Sequence, residues 1–252
     1  MAVQDIHQLP DDPLKMPPPY WRSAGAIFHV KTSLADILLL LEKLVPLNKE
    51  TEERLQDYFA RKPESEDDDP EFSEICNPLW DLETSIKLKA EIAIIMSAIS
   101  AEDHLNMVSV FNLHKQVAEP LEKLPIHEKL QILSALLDKP GITGLHLYGA
   151  LKKMASWRNA FAHGHCVDRP TKSLRHNHLT EPEDLPGVPS MMADVRQMVS
   201  CYVELVDYLS STSKNTYTAG PYWDVEEIRD LLTEIMRYEF SGDNMVYDVD
   251  VK

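Results

Sequence analysis

The chain has 252 residues, of which 44% are hydrophobic and 26% are charged, and its formal net charge is −16 at pH 7. This is the composition of an ordinary globular protein, and the negative charge argues against broad, non-specific nucleic-acid binding, which requires cations to replace phosphate counterions. With only 8 glycines, the chain does not suit an all-β fold with many tight turns.

Residues 1–29 are predicted to form a Pro-rich N-terminal arm, because Pro10, Pro13 and the prolines at 17–19 favour extended backbone. The first residues carry neither the basic start nor the apolar stretch of a signal peptide. No uninterrupted apolar run reaches the roughly 18 residues of a membrane span. Three widely separated cysteines predict no disulfide framework. We therefore expect a cytoplasmic protein without membrane contact.

Residues 30–212 are predicted to form one helical domain. Apolar residues at helical spacing begin near Thr32 and stop at Pro46, and a second short helix is predicted over 48–61. The acidic run 62–71 reads as an exposed loop.

The longest periodic block spans 79–119, and its middle, 92–99, is apolar nearly all round. This pattern predicts a central buried helix. Glu102 and Asn106 lie four residues apart on one face and interrupt the apolar stripe. Either they have polar partners in the core, or the helix has already reached solvent at that point.

Later elements follow the same periodicity. A short connecting helix is bracketed by Pro120 and Pro125, and further helices are predicted over 126–137, 144–163 and 189–211. Residues 213–252 are expected to hold a C-terminal amphipathic helix and a tail, of which 245–251 alternates like a strand without a second strand to pair with. Because strands and helices do not alternate along the chain, the predicted class is all-α.

One window, 146–179, differs in charge from the rest of the chain, since it holds six Lys or Arg residues, a single acid and five of the ten histidines. Clustering of charge on a solvated face explains this as well as a binding role does. As an RNA-binding surface it would use Lys152, Lys153, Arg169, Lys172 and Arg175.

Within this window, Arg158, Asn159 and His163 lie at the end of the helix predicted over 144–163, which Gly164 is suited to terminate. Residues five apart on a helix are separated by about 140°, so Arg158 and His163 do not share a face, whereas Asn159 and His163 do. The Asn159 amide can orient the imidazole, and Arg158 suits a phosphate. To meet a histidine, Arg158 must wrap round its helix or reach a second copy, which points to a homodimer.

Histidine and arginine suffice for one reaction that needs no metal, the cleavage of RNA by its own 2′-hydroxyl. The histidine moves protons near neutral pH, and the arginine stabilises the charged transition state at phosphorus. The products are a 2′,3′-cyclic phosphate and a 5′-hydroxyl.

Arg158-Asn159 followed by Ala162-His163-Gly164 resembles the Arg-(x4–6)-His motif of the HEPN superfamily, over about residues 30–212. The resemblance implies an all-α bundle with a long central helix, to which 213–252 adds a short C-terminal helical extension. Many members are metal-independent endoribonucleases of defence or stress systems that act as homodimers. The implied catalytic residues are Arg158 and His163. The implied supporting residues are Asn159, Glu102, Asn106 and His165.

Three interpretations remain open. The chain cleaves RNA, or it is a non-catalytic HEPN-like module that binds nucleotides or proteins, such as a cognate antitoxin or a nucleotidyltransferase-type partner. In the third, Arg158 pairs with an acid such as Glu102 and His163 caps the helix. An exposed Arg158 and His163 in a basic cleft favour catalysis, whereas Arg158 buried against a carboxylate favours the structural interpretation.

No cofactor or metal is expected. Five residues of the loop after the motif helix are of metal-binding type, but their spacing matches no common zinc pattern. They are His163, His165, Cys166, His176 and His178.

Overall fold

The computed structural model describes residues 18–62, 69–136, 141–162, 187–210, 224–241 and 245–248. Its helices are α1 (Pro18–Arg61), α2 (Pro70–Asn112), α3 (Lys115–Glu122), α4 (Ile126–Leu136), α5 (His146–Ala162), α6 (Val188–Ser210) and α7 (Val225–Ile235), with a 3₁₀ turn at Ile142–Gly144. Two four-residue strands, β1 (Tyr238–Ser241) and β2 (Met245–Asp248), follow α7. The prediction of an all-α fold is confirmed, with this hairpin as an addition.

Helix α1 is a single 44-residue helix, so the predicted start near Thr32 and the predicted stop at Pro46 are both wrong. A proline inside a helix costs about 3 kcal/mol, because it lacks the N–H donor and its ring crowds the preceding turn. Completely buried residues on both sides of Pro46, such as Leu41 and Tyr58, offset that cost by packing. The helix starts within the proline run because first-turn N–H groups have no helical partner to lose. The predicted arm, 1–29, is therefore helical from Pro18 onward, and residues 1–17 lie outside the described part of the chain.

Helix α2 begins at Pro70, earlier than the predicted position 79. The Asp69 side chain caps it by accepting a hydrogen bond from the backbone N of Glu71 at 2.8 Å, and a proline is well tolerated at the first helical position. The helix ends at Asn112, because Leu113 is extended and His114 caps α3. The connecting helix predicted between Pro120 and Pro125 is therefore displaced to Lys115–Glu122.

Helices α1 and α2 form an antiparallel pair, because residues early in α1 contact residues late in α2. The Lys89 Nζ atom lies 2.7 Å from Asp36 Oδ2, and the Arg22 Nη2 atom lies 2.6 Å from Asp103 Oδ1. Helix α2 also packs against α3, α4, α5 and α6. The prediction of a long, central, buried helix is thus confirmed.

The C-terminal segment packs on the same core. Helix α7 lies against α1 and α6, and its residues Val225, Ile228, Leu232 and Ile235 are buried in the common cluster. Strand β1 pairs antiparallel with β2, with Tyr238 opposite Asp248. The expectation that 245–251 has no second strand to pair with is therefore wrong, because Tyr238–Ser241 supplies it. The predicted boundary between 212 and 213 lies outside the described residues.

Candidate functional site

The C-terminal half of α2 carries polar side chains into the core. Asp103 is 3% exposed and Asn106 is 5% exposed, while Leu105 between them is completely buried. The alternative in which α2 reaches solvent at Glu102 is therefore wrong. Buried polar groups require partners, since each unsatisfied group costs about 1–3 kcal/mol. The partners come from α1, α4 and α5.

The Glu102 carboxylate is shared by two cations from different helices. Its Oε1 atom lies 2.9 Å from Nζ of Lys129 on α4, and its Oε2 atom forms an ion pair with Nη1 of Arg158 on α5. Three helices thus meet at one carboxylate that two cations share. The pairing of the central helix with the motif arginine is the main feature of the candidate site.

Arg158 reaches Glu102 because it continues the inner stripe of α5. Leu151 and Met154 are completely buried, and Arg158 follows them at the three- and four-residue spacing that keeps one helix face. Its side chain stays 28% exposed. Burial lowers the pKa of the guanidinium, which nevertheless remains charged.

Asn159 lies next to Arg158 and is exposed. Its Oδ1 atom accepts hydrogen bonds from Arg158 at 3.1 Å from Nη2 and 3.3 Å from Nε. The amide oxygen of Asn159 therefore orients the arginine. The predicted pairing of Asn159 with His163 lies outside the described residues, because the description of α5 ends at Ala162.

Lys129 is the residue that the sequence reasoning missed. Its side chain is completely buried, and burial lowers its pKa to about 8, an effect opposed by the Glu122 and Asp103 carboxylates. At neutral pH it is mostly protonated. A signal was present in the sequence, because Lys129 falls three residues after Ile126 and four before Leu133, both buried, and so belongs to the inner face of α4.

Arg22 of α1 supplies the second new ion pair, with Asp103. Burial raises the pKa of Asp103, while the hydrogen bond from Arg22 opposes the rise. Among the described residues, Asp103 Oδ2 and Asn106 Oδ1 have no hydrogen-bond partner. The polar cluster of α2 thus combines a bridged carboxylate, Glu102, with a deeper one, Asp103.

The remaining predicted RNA-binding residues divide into two groups. Lys152 is exposed, whereas Lys153 is tied to α6, with its Nζ atom 3.3 Å from Asp194 Oδ1 and hydrogen-bonded to Gln197 Oε1. The other predicted site residues lie outside the described part of the chain; they are His163, His165, Arg169, Lys172 and Arg175. The loop residues Cys166, His176 and His178 lie there too. Within the described ranges, no group of three or more His, Cys, Asp or Glu side chains is placed to hold a metal ion.

The environment of Arg158 agrees fully with neither the catalytic interpretation nor the structural one. It pairs with the Glu102 carboxylate, as in the structural interpretation. Yet that carboxylate is shared with Lys129, and more than a quarter of the Arg158 side chain remains exposed. Glu102 therefore holds the arginine in place, but its single negative charge is divided between Arg158 and Lys129.

Comparisons with protein-family models, curated proteins and solved structures find no match for this chain. One segment of α1, Arg22–Arg61, is long and apolar enough to cross a membrane by length and composition, and 39% of its most apolar window is buried in the fold. A core helix of a water-soluble protein and a signal sequence near the N-terminus both meet the same criterion.

Proposed function

We propose that this protein is a metal-independent endoribonuclease of HEPN type, which acts as a homodimer in a cytoplasmic defence or stress response. The observation that carries the proposal is that Arg158 keeps 28% of its side chain exposed while the carboxylate that it contacts, Glu102, is shared with Lys129. The ion pair places one residue of the central helix, Glu102, against the arginine of the Arg-x4-His motif. By the resemblance to that superfamily, Glu102 and Asn106 are supporting residues of the same site.

In the proposed reaction, His163 accepts the proton of the ribose 2′-hydroxyl as that oxygen attacks the neighbouring phosphorus. A proton is then delivered to the departing 5′-oxygen, which leaves as a hydroxyl beside a 2′,3′-cyclic phosphate. Arg158 stabilises the extra negative charge on the phosphoryl oxygens in the transition state. Asn159 and Glu102 hold the guanidinium in place through the contacts described above.

Local charge supports binding of a phosphate in spite of the net charge of −16. Two cations share Glu102, and Lys152 is exposed on the same helix as Arg158. A few exposed cations on an acidic protein favour a few specific phosphate contacts and disfavour long non-specific tracts. We therefore expect a structured or short RNA substrate.

The decisive experiment incubates the purified full chain with mixed RNAs in EDTA, beside His163→Ala. His146→Ala is the matched control, because His146 lies at the opposite end of α5 and is largely exposed. We expect cleavage by the wild type and by His146→Ala, with 2′,3′-cyclic phosphate ends detected by mass spectrometry. Equal cleavage by wild type and His163→Ala, or cleavage of no RNA, would contradict the proposal.

The homodimer is tested by mixing two inactive variants. If the arginine of one subunit works with the histidine of the other, Arg158→Ala mixed with His163→Ala forms heterodimers with one intact site. Statistical mixing then restores about a quarter of the wild-type activity. No recovery after subunit exchange would place both residues of a site in one chain.

The same contact also suits a second function, because it leaves Arg158 half-buried against a carboxylate. In this alternative the protein is a non-catalytic HEPN-like binding or regulatory module that acts through a protein or a nucleotide. Its partner would be a cognate antitoxin or a nucleotidyltransferase-type protein. Co-purification of a stoichiometric partner by both wild type and His163→Ala, with no RNA cleavage, would favour it.

A further inference from the structure

Lys129 and Arg158 approach the same carboxylate from two sides, at Oε1 and Oε2 of Glu102. The two cations differ in exposure, because the Lys129 side chain is completely buried whereas that of Arg158 is 28% exposed. A buried ammonium cannot touch a substrate at the surface. Any influence that it has on a bound phosphate must pass through Glu102.

We propose that Lys129 is a positioning residue for Arg158: by offsetting the charge of Glu102, it lets the carboxylate orient the guanidinium without neutralising it. The inference rests on the proposed function, in which Arg158 meets a phosphate of RNA. It adds a residue that the Arg-x4-His motif does not contain.

The physical basis is competition for the guanidinium. In an environment of low dielectric constant, a carboxylate holding a single cation binds it tightly, and an incoming phosphate must displace it. With Lys129 on its other oxygen, Glu102 has part of its charge already satisfied. The neighbouring Arg22–Asp103 pair adds no net charge, and Glu122 adds one acid from α3. Together, Lys129, Arg158 and Arg22 balance Glu102, Asp103 and Glu122, so the group is neutral overall, and the charge exposed to an incoming phosphate is that of Arg158.

Two variants separate this role from simple packing. Lys129→Met removes the charge and retains most of the apolar chain, so Glu102 then faces Arg158 alone. Lys129→Met combined with Glu102→Gln removes both charges and returns Arg158 to a free cation. The matched control is Lys115→Met, because Lys115 also pairs with a glutamate, Glu119, but is 81% exposed on α3.

The probe is a 2′-O-methyl RNA oligonucleotide, which binds but cannot be cleaved because it lacks the attacking hydroxyl. Fluorescence anisotropy gives its Kd across a salt series, and the Nε–Hε resonance of Arg158 reports on the guanidinium directly. We expect Lys129→Met to weaken binding about tenfold and to reduce the salt dependence by about one phosphate contact. The double variant should recover binding to within about threefold of wild type, and Lys115→Met should bind like wild type.

With cleavable RNA, Lys129→Met should both raise KM and lower kcat, because Arg158 contacts the bound phosphate and stabilises its added charge in the transition state. The Arg158 resonance should shift in Lys129→Met and return toward the wild-type position in the double variant. A lower unfolding temperature with an unchanged resonance and unchanged Kd would mean that Lys129 is merely structural, and would overturn the inference. Binding by the double variant as weak as that of Lys129→Met would overturn it too.

The two proposals fail in different ways. If wild type cleaves no RNA but the Arg158 resonance follows the predicted pattern, the ribonuclease is wrong and the positioning role stands. If RNA cleavage and the resonance are both unaffected by Lys129→Met, the ribonuclease stands and the positioning role is wrong.

Discussion

The Nζ atom of Lys129 lies 2.9 Å from Oε1 of Glu102, yet the lysine side chain is completely buried while the glutamate side chain is 23% exposed. The two partners are therefore not equivalent. Glu102 has a second cation in Arg158, whereas for Lys129 Glu102 is the carboxylate in direct contact. Removing the charge of Glu102 and removing the charge of Lys129 should therefore lower the free energy of unfolding by different amounts.

We predict that Glu102→Gln destabilises the fold by about 2–3 kcal/mol, because it leaves a buried ammonium facing a neutral amide. Lys129→Met should change the free energy of unfolding by less than about 1 kcal/mol, since Glu102 keeps Arg158 and methionine fills most of the lysine volume. Urea unfolding at pH 7 measures both. A larger loss in Lys129→Met than in Glu102→Gln would contradict this asymmetry.

The buried lysine also predicts a pH dependence. Its pKa is about 8 in the folded protein, against an ordinary value of 10.5. Between these values the unfolded chain binds more protons than the folded one, so the free energy of unfolding rises with pH. The stability of wild type relative to Lys129→Met should therefore increase by about 1–3 kcal/mol from pH 8 to pH 10.5. Urea unfolding of both proteins from pH 8 to pH 10.5 tests this prediction. If the two free energies of unfolding change with pH in parallel, Lys129 does not titrate in this range.

The Arg22–Asp103 pair predicts that the effect of removing Arg22 on stability depends on the charge of Asp103. Asp103 is buried and its pKa is raised by burial, while Arg22 remains largely exposed. Arg22→Ala should destabilise the protein by about 1 kcal/mol at pH 7, because it leaves a buried carboxylate without its cation. In an Asp103→Asn background the same change should cost almost nothing. A double-mutant cycle measures the difference, and equal losses in both backgrounds would show that the arginine acts through packing alone.

Helix α2 offers a matched pair of leucines to test the central core. Leu105 is completely buried, and Leu88 is 55% exposed on the same helix. Leu105→Ala should cost about 3–4 kcal/mol, through lost burial and the cavity left behind. Leu88→Ala should cost less than about 0.5 kcal/mol. Thermal and urea unfolding of the two variants should differ accordingly, and similar losses would be inconsistent with α2 lying at the centre of the fold.

Much of the helical pattern could be predicted, because helical periodicity depends on residues three and four apart. The central helix α2, the helix that ends in the motif and the amphipathic helix near the C-terminus all follow from that spacing. The predicted helix ends are wrong where tertiary packing outweighs the helix-breaking tendency of a proline. Pro46 was expected to end a helix and does not, because buried residues on both sides hold α1 against α2.

The candidate site was predicted in part. Glu102, Asn106, Arg158 and Asn159 were singled out from residue type and spacing, and Glu102 was named as one carboxylate that Arg158 could meet. Lys129 is not identified from the sequence, because a cation within an apolar stripe resembles a solvated charge. Arg22 is not identified, because residues 1–29 are predicted to form an extended arm and not part of α1. Only the packing of α4 and α1 on α2 shows that these two charges face carboxylates.

Residue spacing along the chain is enough to predict the all-α class, the central helix and the motif that carries the proposed chemistry. The tertiary structure decided which charges meet. Glu102 and Lys129 are 27 positions apart, and Arg22 and Asp103 are 81 apart. Spacing along one helix carries no information about such contacts, because they depend on how separate helices pack. The shared carboxylate at Glu102 is therefore a property of the fold, and the motif at Arg158 a property of the sequence.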